Sequence, residues 1–370
     1  MNMSMDFIKN SIIDKFDFLG EFVSVDTQKS GLINGTFTLT YALPGGANCK
    51  YILQKINTAI FTEPVALMEN IDKVTKHIRT VSAKNGKDPK KSTLNIIKTK
   101  NGNLFYVDEE GSYWRAYDFI EGCVTYNKVN KPEDFYKAGV ALGEFQKSLD
   151  DYPADELVET IKNFHNTPSR YNDLCKAVEE DRAGRGISVQ KEIEFFDSRK
   201  DFFSIITDGI ADGTIPVRVT HNDTKFNNIM LDEKTGDVAC FIDLDTVMPG
   251  SALYDFGDSI RSGANLASED EKNPEDVKFS VELFAIYVKG YLSCMKDFLT
   301  PTEIRLLPES AILITLELAM RFLTDYLNGD SYFKTTRPGQ NLDRARCQMK
   351  LADDMEKNIE KMRKLVELAL

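Results

Sequence analysis

The stretch Thr220-His221-Asn222-Asp223-Thr224-Lys225-Phe226-Asn227-Asn228-Ile229-Met230-Leu231, continued by Phe241-Ile242-Asp243-Leu244-Asp245, decides how this chain is read. Polar residues crowd there into apolar, strand-like surroundings. Residues 228–231 and 238–243 are two short strand candidates, and 232–237, with Lys-Thr-Gly at its centre, is the turn between them. The turn midpoint falls near residue 235, so Asn228 lies seven residues before it and Asp243 eight after. In an antiparallel hairpin that register brings Asn228 and Asp243 to one open end, with Cα atoms roughly 5 Å apart. Asp223 stands in the loop that enters the first strand, at the same end.

Two oxygen ligands and a third carboxylate then share one place. A carboxylate plus an amide oxygen is a donor set that Mg²⁺ accepts, with water and phosphate oxygens completing the octahedron. Asn228 and Asp243 are the expected ligands. An unligated Asp223 suits the task of taking a proton from an attacking hydroxyl. His221 is read as shaping the loop through backbone hydrogen bonds. Asp245 stays open between support of the metal site and direct ligation. Asp255-Phe256-Gly257 follows 32 residues after Asp223 and does not end a strand paired with Asn228. It is read as carrying a structural carboxylate that organises the loop.

Working outward, 370 residues with 42% apolar content give a soft expectation of about two domains. A chain of this size needs no disulfide or metal staple to be stable. Lys and Arg number 46 against 58 Asp and Glu, a net charge of −12. That balance lacks the basic footprint of a nucleic-acid or anionic-membrane binder. A phosphate-bearing ligand needs only a few local donors and is not excluded. The six cysteines contain no Cys-x-x-Cys, which excludes zinc knuckles and dithiol redox motifs. No signal peptide is read at the start, and the longest apolar-looking run, 311–320, contains Glu317 and is too short to span a bilayer. A cytoplasmic chain with reduced cysteines is expected, with no nucleic acid, membrane or obligate protein partner.

The first third reads as strands and turns. Residues 36–43 and 50–56 are strand candidates on either side of Pro44-Gly45-Gly46, and 94–97 and 113–120 add two more. Pro64 opens a helix with Met68, Ile71, Val74 and Ile78 at helical spacing. The basic stretch 82–92 reads as a solvated loop. After residue 121 the chain turns helical. Pro132 starts a helix with Phe135, Leu142, Phe145 and Leu149 on one face, and 156–209 is polar and mostly helical. Residues 281–299, 301–327 and 344–370 read as long amphipathic helices. The fold class is α+β, with a strand-rich part at 1–120 and a helix-rich part at 121–370. Neither a Walker loop nor a dinucleotide fingerprint is present. Asn34, Gly35 and Thr36 form a small-residue turn whose N–H groups suit phosphates. Lys55 is the candidate phosphate-contacting cation, although strand alternation does not decide between Gln54 and Lys55, and Glu69 is a candidate partner for it.

Here the chain resembles a known family. His221-Asn-Asp-Thr-Lys-Phe-Asn-Asn-Ile-Met-Leu, Phe241-Ile-Asp-Leu-Asp-Thr-Val-Met-Pro-Gly250 and Leu253-Tyr-Asp-Phe-Gly-Asp-Ser-Ile-Arg261 resemble the aminoglycoside phosphotransferase and choline kinase superfamily. Within it the likeness is closest to the bacterial kinases of N-acetylhexosamines. It extends to Ile33-Asn-Gly-Thr36, Ile52-Leu-Gln-Lys-Ile-Asn57, Leu67-Met-Glu-Asn70, Arg115-Ala-Tyr-Asp-Phe-Ile-Glu-Gly122 and the segments after Arg321 and Pro338. The resemblance implies a two-lobed protein-kinase-like fold, with a small antiparallel-sheet N-lobe carrying one helix and a larger, mostly helical C-lobe. It implies ATP and Mg²⁺ between the lobes, and phosphoryl transfer to the anomeric hydroxyl of N-acetylglucosamine or N-acetylgalactosamine. By position, Asp223 falls on the family's base and Asn228 and Asp243 on its metal ligands. Arg321 and Tyr332, with Asp223, fall on its sugar contacts. Asp118, Phe119 and Ile120 fall on the hinge that reads adenine. Leu32 stands where the family's pattern calls for a histidine. The alternative is a related kinase of another sugar, an aminoglycoside or a choline-type alcohol. Cationic acceptors call for carboxylates or aromatic cages, and the segment from Tyr332 to Pro338 holds no acidic cluster.

Overall fold

The computed structural model describes residues 7–28 and 33–370. The expected phosphate-side turn is therefore described from Ile33 onward, and Gly31 and Leu32 lie outside the described residues. The first part is an antiparallel sheet of β1 (Glu21–Thr27), β2 (Gly35–Ala42) and β3 (Asn48–Lys55), then helix α1 (Pro64–Lys84), then β4 (Ile96–Ile97), β5 (Tyr106–Val107) and β6 (Tyr113–Asp118). The strands lie in the order β1-β2-β3-β6-β4, with β5 also paired to β6.

Strand alternation gives this sheet two different faces. Phe37, Leu39, Tyr51, Leu53, Trp114 and Ala116 share one face and are buried beneath Ile8, Ile12, Ile13 and Phe16 of a short helical segment. Trp114 Nε1 is anchored by Asp108 at 2.8 Å. The other face carries Ile52 and Tyr117 and meets Leu67, Met68, Ile71, Val74 and Ile78 of α1. That apolar cluster continues into the helical part without a break. Asn70 of α1, 1% exposed, donates to Val158 O (2.8 Å) and Val247 O (3.1 Å).

Strand β7 (Cys123–Val124) leads into the second part. Helices α2 (Pro132–Lys147), α3 (Thr167–Glu180), α4 (Gln190–Asp197) and α5 (Ile205–Ala211) follow. Four short strands come next, β8 (Arg218–Thr220), β9 (Ile229–Asp232), β10 (Val238–Phe241) and β11 (Met248–Gly250). They form two ladders, β10-β9-β7 and β11-β8. Helices α6 (Ala252–Gly263), α7 (Val281–Met295), α8 (Pro301–Leu327), α9 (Gln340–Lys357) and α10 (Ile359–Leu368) complete the chain.

Helix α8 runs through the middle of this part and is apolar almost all round. Its start has a capping box between Thr300 and Glu303, with Pro301 in the first turn. The pattern at 344–370 suggested one helix. The structure instead divides it at Asn358, whose φ of −105° and ψ of 7° leave the helical region. Helix α6 is buried on nearly every side, from Ala252 to Arg261, so its polar residues meet protein and not water. Among the described residues no helix is long and apolar enough to cross a membrane.

Helices α2 and α7 touch through glycines. A Cβ on Gly139 would lie 2.5 Å from Tyr287 O, and one on Gly290 would lie 2.3 Å from Tyr136 O. Backbone sits where a side chain would have to go, so neither position has room for one. Gly290→Ala is expected to lower the unfolding free energy by about 1–3 kcal/mol, the usual cost of overpacking. Urea denaturation measures it, and an unchanged midpoint would show that the helices are free to separate.

Candidate functional site

The loop 221–223 is shaped by a carboxylate on α6. Asp255, fully buried, accepts from the backbone N–H of Asn222 (2.7 Å) and His221 (3.1 Å) and from Gln146 Nε2 (3.1 Å). Burial pushes its carboxyl up, against the pull of these donors. Helix α6 then tracks along the loop. Ser259 Oγ donates to Thr224 O (3.1 Å) and Ser262 Oγ accepts from Phe226 N–H (3.2 Å). Phe256 is fully buried, and a Cβ on Gly257 would lie 2.5 Å from Ser310 O of α8. The Asp255-Phe256-Gly257 triplet thus comprises a loop holder, a core ring and a close helix contact.

His221 is buried and braces the loop. Its Nδ1 accepts from Asp223 N–H (3.3 Å), so its Nε2 is the donor to Ile242 O (3.0 Å). Asn222 takes a positive φ of 64°. From behind, His165 Nε2 bonds Asn222 O (3.1 Å) while its Nδ1 meets Glu317 Oε1 of α8 (2.8 Å). Thr167 donates to the other oxygen of Glu317 (2.7 Å). Burial works against ionisation of Glu317, but His165 and Thr167 hold its carboxyl below the usual range.

Asp223 uses one of its oxygens. Oδ2 accepts from Lys225 Nζ (2.8 Å) and Asn228 Nδ2 (2.9 Å), while Oδ1 has no donor among the described residues. The surrounding protein disfavours its charge. The Lys225 ammonium, His221 and the Arg261 guanidinium outweigh that and keep its carboxyl below the ordinary range. Lys225 is pushed up in turn by Asp223 and Asp243, against burial.

Asn228 donates Nδ2 also to Asp223 O (2.8 Å), which leaves its Oδ1 without a protein donor among the described residues. Asp243 follows Ile242, whose N–H bonds Asn228 O at 2.9 Å. Ile242 therefore lies opposite Asn228, as a turn midpoint at residue 235 requires, and Asp243 is one residue beyond it at the same open end. A bulge sets this register, because Val238 pairs Leu231 but Cys240 pairs Met230, leaving Ala239 extra; without it Phe241 would face Asn228. Asp243 sits at the same end in a left-handed conformation, φ 60°. Water reaches Asp243. Even so, the protein packed around it, then Asp245 and Asp223, raise its carboxyl above the ordinary range, against Lys225 and Arg115. A carboxylate destabilised by its neighbours beside a free amide oxygen fits a divalent cation.

Asp245, 3% exposed, meets Arg115 with both oxygens. It ties the sheet to the segment that follows the β9–β10 hairpin. Arg115 of β6 grips it in a fork, with Nη2 2.8 Å from Oδ2 and Nη1 2.5 Å from Oδ1. Asn34 Nδ2 also donates to Oδ2 (2.7 Å), and Asn34 Oδ1 accepts from Asn57 N–H (2.9 Å). Arg115 Nε donates to Gln54 Oε1 (3.0 Å), and Gln54 Nε2 donates to Thr36 Oγ1 (3.1 Å).

The open question on β3 now has a geometric answer. Gln54 lies opposite Arg115 and Lys55 opposite Trp114. Gln54 faces the β9–β10 hairpin side through Arg115, whereas Lys55 is on the other face with Nζ 5.8 Å from the Trp114 ring centroid. Lys55 and Glu69 form no ion pair. Arg115 is the cation that the sheet presents toward Asp245. No role was read for it from sequence, although a charged residue inside the apolar strand Trp114–Tyr117 is a signal. Gly35 and Thr36 open β2 beside Asn34.

At the end of β6, Asp118 N–H and Phe119 N–H are used by Asn95 O (3.0 Å) and Lys50 O (3.2 Å). Asn95 Nδ2 also bonds the Asp118 carboxylate. Ile120 N–H has no partner among the described residues.

Arg321 of α8 lies one turn after Glu317. Its guanidinium has no hydrogen-bond or ion-pair partner among the described residues and lies 5.1, 5.9 and 5.6 Å from the rings of Phe164, Tyr332 and Phe333. Tyr332 is half-exposed. Arg261, missed from sequence, is buried between Asp258 (2.8 Å) and Glu269 (3.3 Å).

A model described as the phosphotransferase enzyme family matches residues 37–285. Among solved structures the chain is similar to an aminoglycoside phosphotransferase from Alicyclobacillus acidocaldarius (TM-score 0.59, 12% identity, covering 96% of this chain and 95% of that one). It is also similar to a choline kinase from Cryptosporidium parvum (TM-score 0.55, 14% identity, covering 91% and 90%). A third is an amicoumacin kinase in complex with AMP-PNP, Ca²⁺ and Ami (TM-score 0.53, 13% identity, covering 94% and 90%). These likenesses show the two-lobed protein-kinase-like fold.

Arg115→Met would strand Asp245 as a buried charge and is expected to lower unfolding free energy by about 3–5 kcal/mol. Adding Asp245→Leu is expected to recover most of that loss, since two apolar groups replace the pair. Chemical denaturation of both variants is the check. Equal losses in the single and double variants would mean that the pair does not join the lobes energetically.

Proposed function

The chain belongs to the phosphotransferase enzyme family, and we propose that it moves the γ-phosphoryl group of ATP to the anomeric C1 hydroxyl of an N-acetylhexosamine. N-acetylglucosamine and N-acetylgalactosamine are the two acceptors named, and the products are the sugar 1-phosphate and ADP. One observation carries the reading. Asp223 has one oxygen tied down by Lys225 and Asn228 and the other free. A carboxylate held this way is placed to accept the proton of an attacking hydroxyl.

Asn228 Oδ1 and the Asp243 carboxylate are the residues that would hold Mg²⁺. When bound, the metal would neutralise charge on the phosphate oxygens. A nucleotide and a divalent cation also accompany the amicoumacin kinase. Ile120 N–H suits adenine, and the turn at Asn34, Gly35 and Thr36 suits phosphates. Asn34 reaches the hairpin by bonding Asp245. Lys55 lies on the far face of β3 beside Trp114, and Gln54, which faces the hairpin, is neutral.

Charge balance supports a neutral acceptor. Near the base, Asp223, Asp258 and Glu269 are matched by Lys225, Arg261 and Arg344. The aromatic rings of Phe164, Tyr332 and Phe333 already surround Arg321, so they are not an empty cage for an alkylammonium. Arg321 suits the acetamido carbonyl or a hydroxyl in fork geometry, and Tyr332 suits the face of the sugar ring.

A panel of sugars, aminoglycosides and choline-type alcohols, read by ADP release, tests the substrate. N-acetylhexosamines are expected to turn over. Turnover of an amine-bearing alcohol alone would overturn the reading. Asp223→Asn is expected to lower kcat by about 10²–10⁴-fold while MgATP still raises the melting temperature. Retained turnover would remove Asp223 from the role of base.

A further inference from the structure

The turn after α8 is built on one carboxylate. Asp325 is 4% exposed. Its Oδ1 accepts from the N–H of Ser331 (2.9 Å) and Tyr332 (2.8 Å), and its Oδ2 from the N–H of Phe333 (2.9 Å). Oδ2 also accepts from Asn341 Nδ2 (2.9 Å), which reaches Asp330 Oδ1 as well (2.9 Å). Asp330 is held in the left-handed region at φ 61°, and its Oδ2 meets Arg185 Nη1 at 2.6 Å. Arg344 closes the far side through Lys334 O (3.1 Å) and Asn341 Oδ1 (3.2 Å).

Helix termination does not call for this carboxylate. The last turn of α8 is already satisfied by the N–H groups of Asn328, Gly329 and Asp330 on the carbonyls of Thr324, Tyr326 and Asp325. What Asp325 adds is a fixed path for Ser331, Tyr332 and Phe333. That path sets two rings beside Arg321, which lies one helical turn before Asp325. Burying a carboxylate is costly unless its oxygens are satisfied, and here four donors are spent on a turn whose Tyr332 ring is half in water.

We propose that Asp325, with Asn341, is a positioning residue for acceptor binding. It presets Tyr332 and Phe333 against Arg321, so that a neutral, ring-shaped polyol meets a platform already in place and little ordering remains to be done on binding. This rests on the acceptor role given to Arg321 and Tyr332 above.

The test is a double-mutant cycle on acceptor KM with N-acetylglucosamine. Asp325→Asn keeps the shape but sets an amide NH₂ against the turn's own N–H groups. It is expected to raise acceptor KM about tenfold or more, with MgATP KM and kcat changed by about threefold at most. Tyr332→Ala is expected to raise acceptor KM as well. The double variant is expected to match Tyr332→Ala within about twofold, because Asp325 acts through the turn it holds. Asn341→Ala leaves the carboxylate and its three backbone donors, so it keeps the test alive where Asp325→Asn fails to fold, and it is expected to raise acceptor KM about threefold. The inference is overturned if a folded Asp325→Asn protein keeps the acceptor KM, if the two losses multiply, or if acceptor and MgATP KM rise together. If no N-acetylhexosamine turns over, the substrate reading fails by itself. The same cycle, run with the alcohol that does turn over, then decides on Asp325.

Discussion

The buried fork between Arg115 and Asp245 is the contact on which the site depends. It joins a central strand of the sheet to the segment that follows the β9–β10 hairpin, and both groups are almost completely removed from water. Desolvating two charges is expensive, and only good geometry with further hydrogen bonds offsets it. Here Asn34 and Gln54 supply those bonds. The same contact fixes the turn at Asn34 against the hairpin and holds the backbone that carries Asp243. Asn34 and the segment that carries Asp243 are thereby registered to each other through one carboxylate.

A second theme is the use of buried carboxylates to hold loops by their backbone. Asp255 takes the N–H groups of His221 and Asn222. Asp325 takes those of three residues after α8. Asp108 takes those of Glu110 and Ser112 while anchoring Trp114. Each loop places a side chain that irregular backbone alone would leave loose. The net charge of −12 is therefore only partly a surface property, since several of its carboxylates are internal struts.

Much of this was legible in the sequence because it rests on local rules. The hairpin at 229–241 followed from turn chemistry and strand formers, and the loop-organising role of Asp255 followed from its failing to end a paired strand. Other features depend on tertiary context. A single bulged residue, Ala239, brings Ile242 instead of Phe241 opposite Asn228, and no pattern announces a bulge. The facing of Gln54 and Lys55 turned on which face of the sheet meets α1. Alternation supplies two faces but does not say which is which. Arg115 reads as an anomaly inside an apolar strand until its partner, 130 residues away, is known. Helix α6 turns its polar stripe, Asp255, Ser259 and Ser262, to the loop and not to water, so its polar side reads as surface until the loop is placed. The break at Asn358 occurs within a continuous amphipathic pattern.

The proposed chemistry is decided by where the phosphorus ends up. The measurement is ³¹P NMR of the product formed from ATP and N-acetylglucosamine, with correlation to the sugar protons. The expected result is a new phosphate resonance coupled to the anomeric H1, growing in step with ADP. A phosphate coupled to H6 or to any other sugar proton, or ADP formed without a phosphorylated sugar, would contradict transfer to the anomeric hydroxyl.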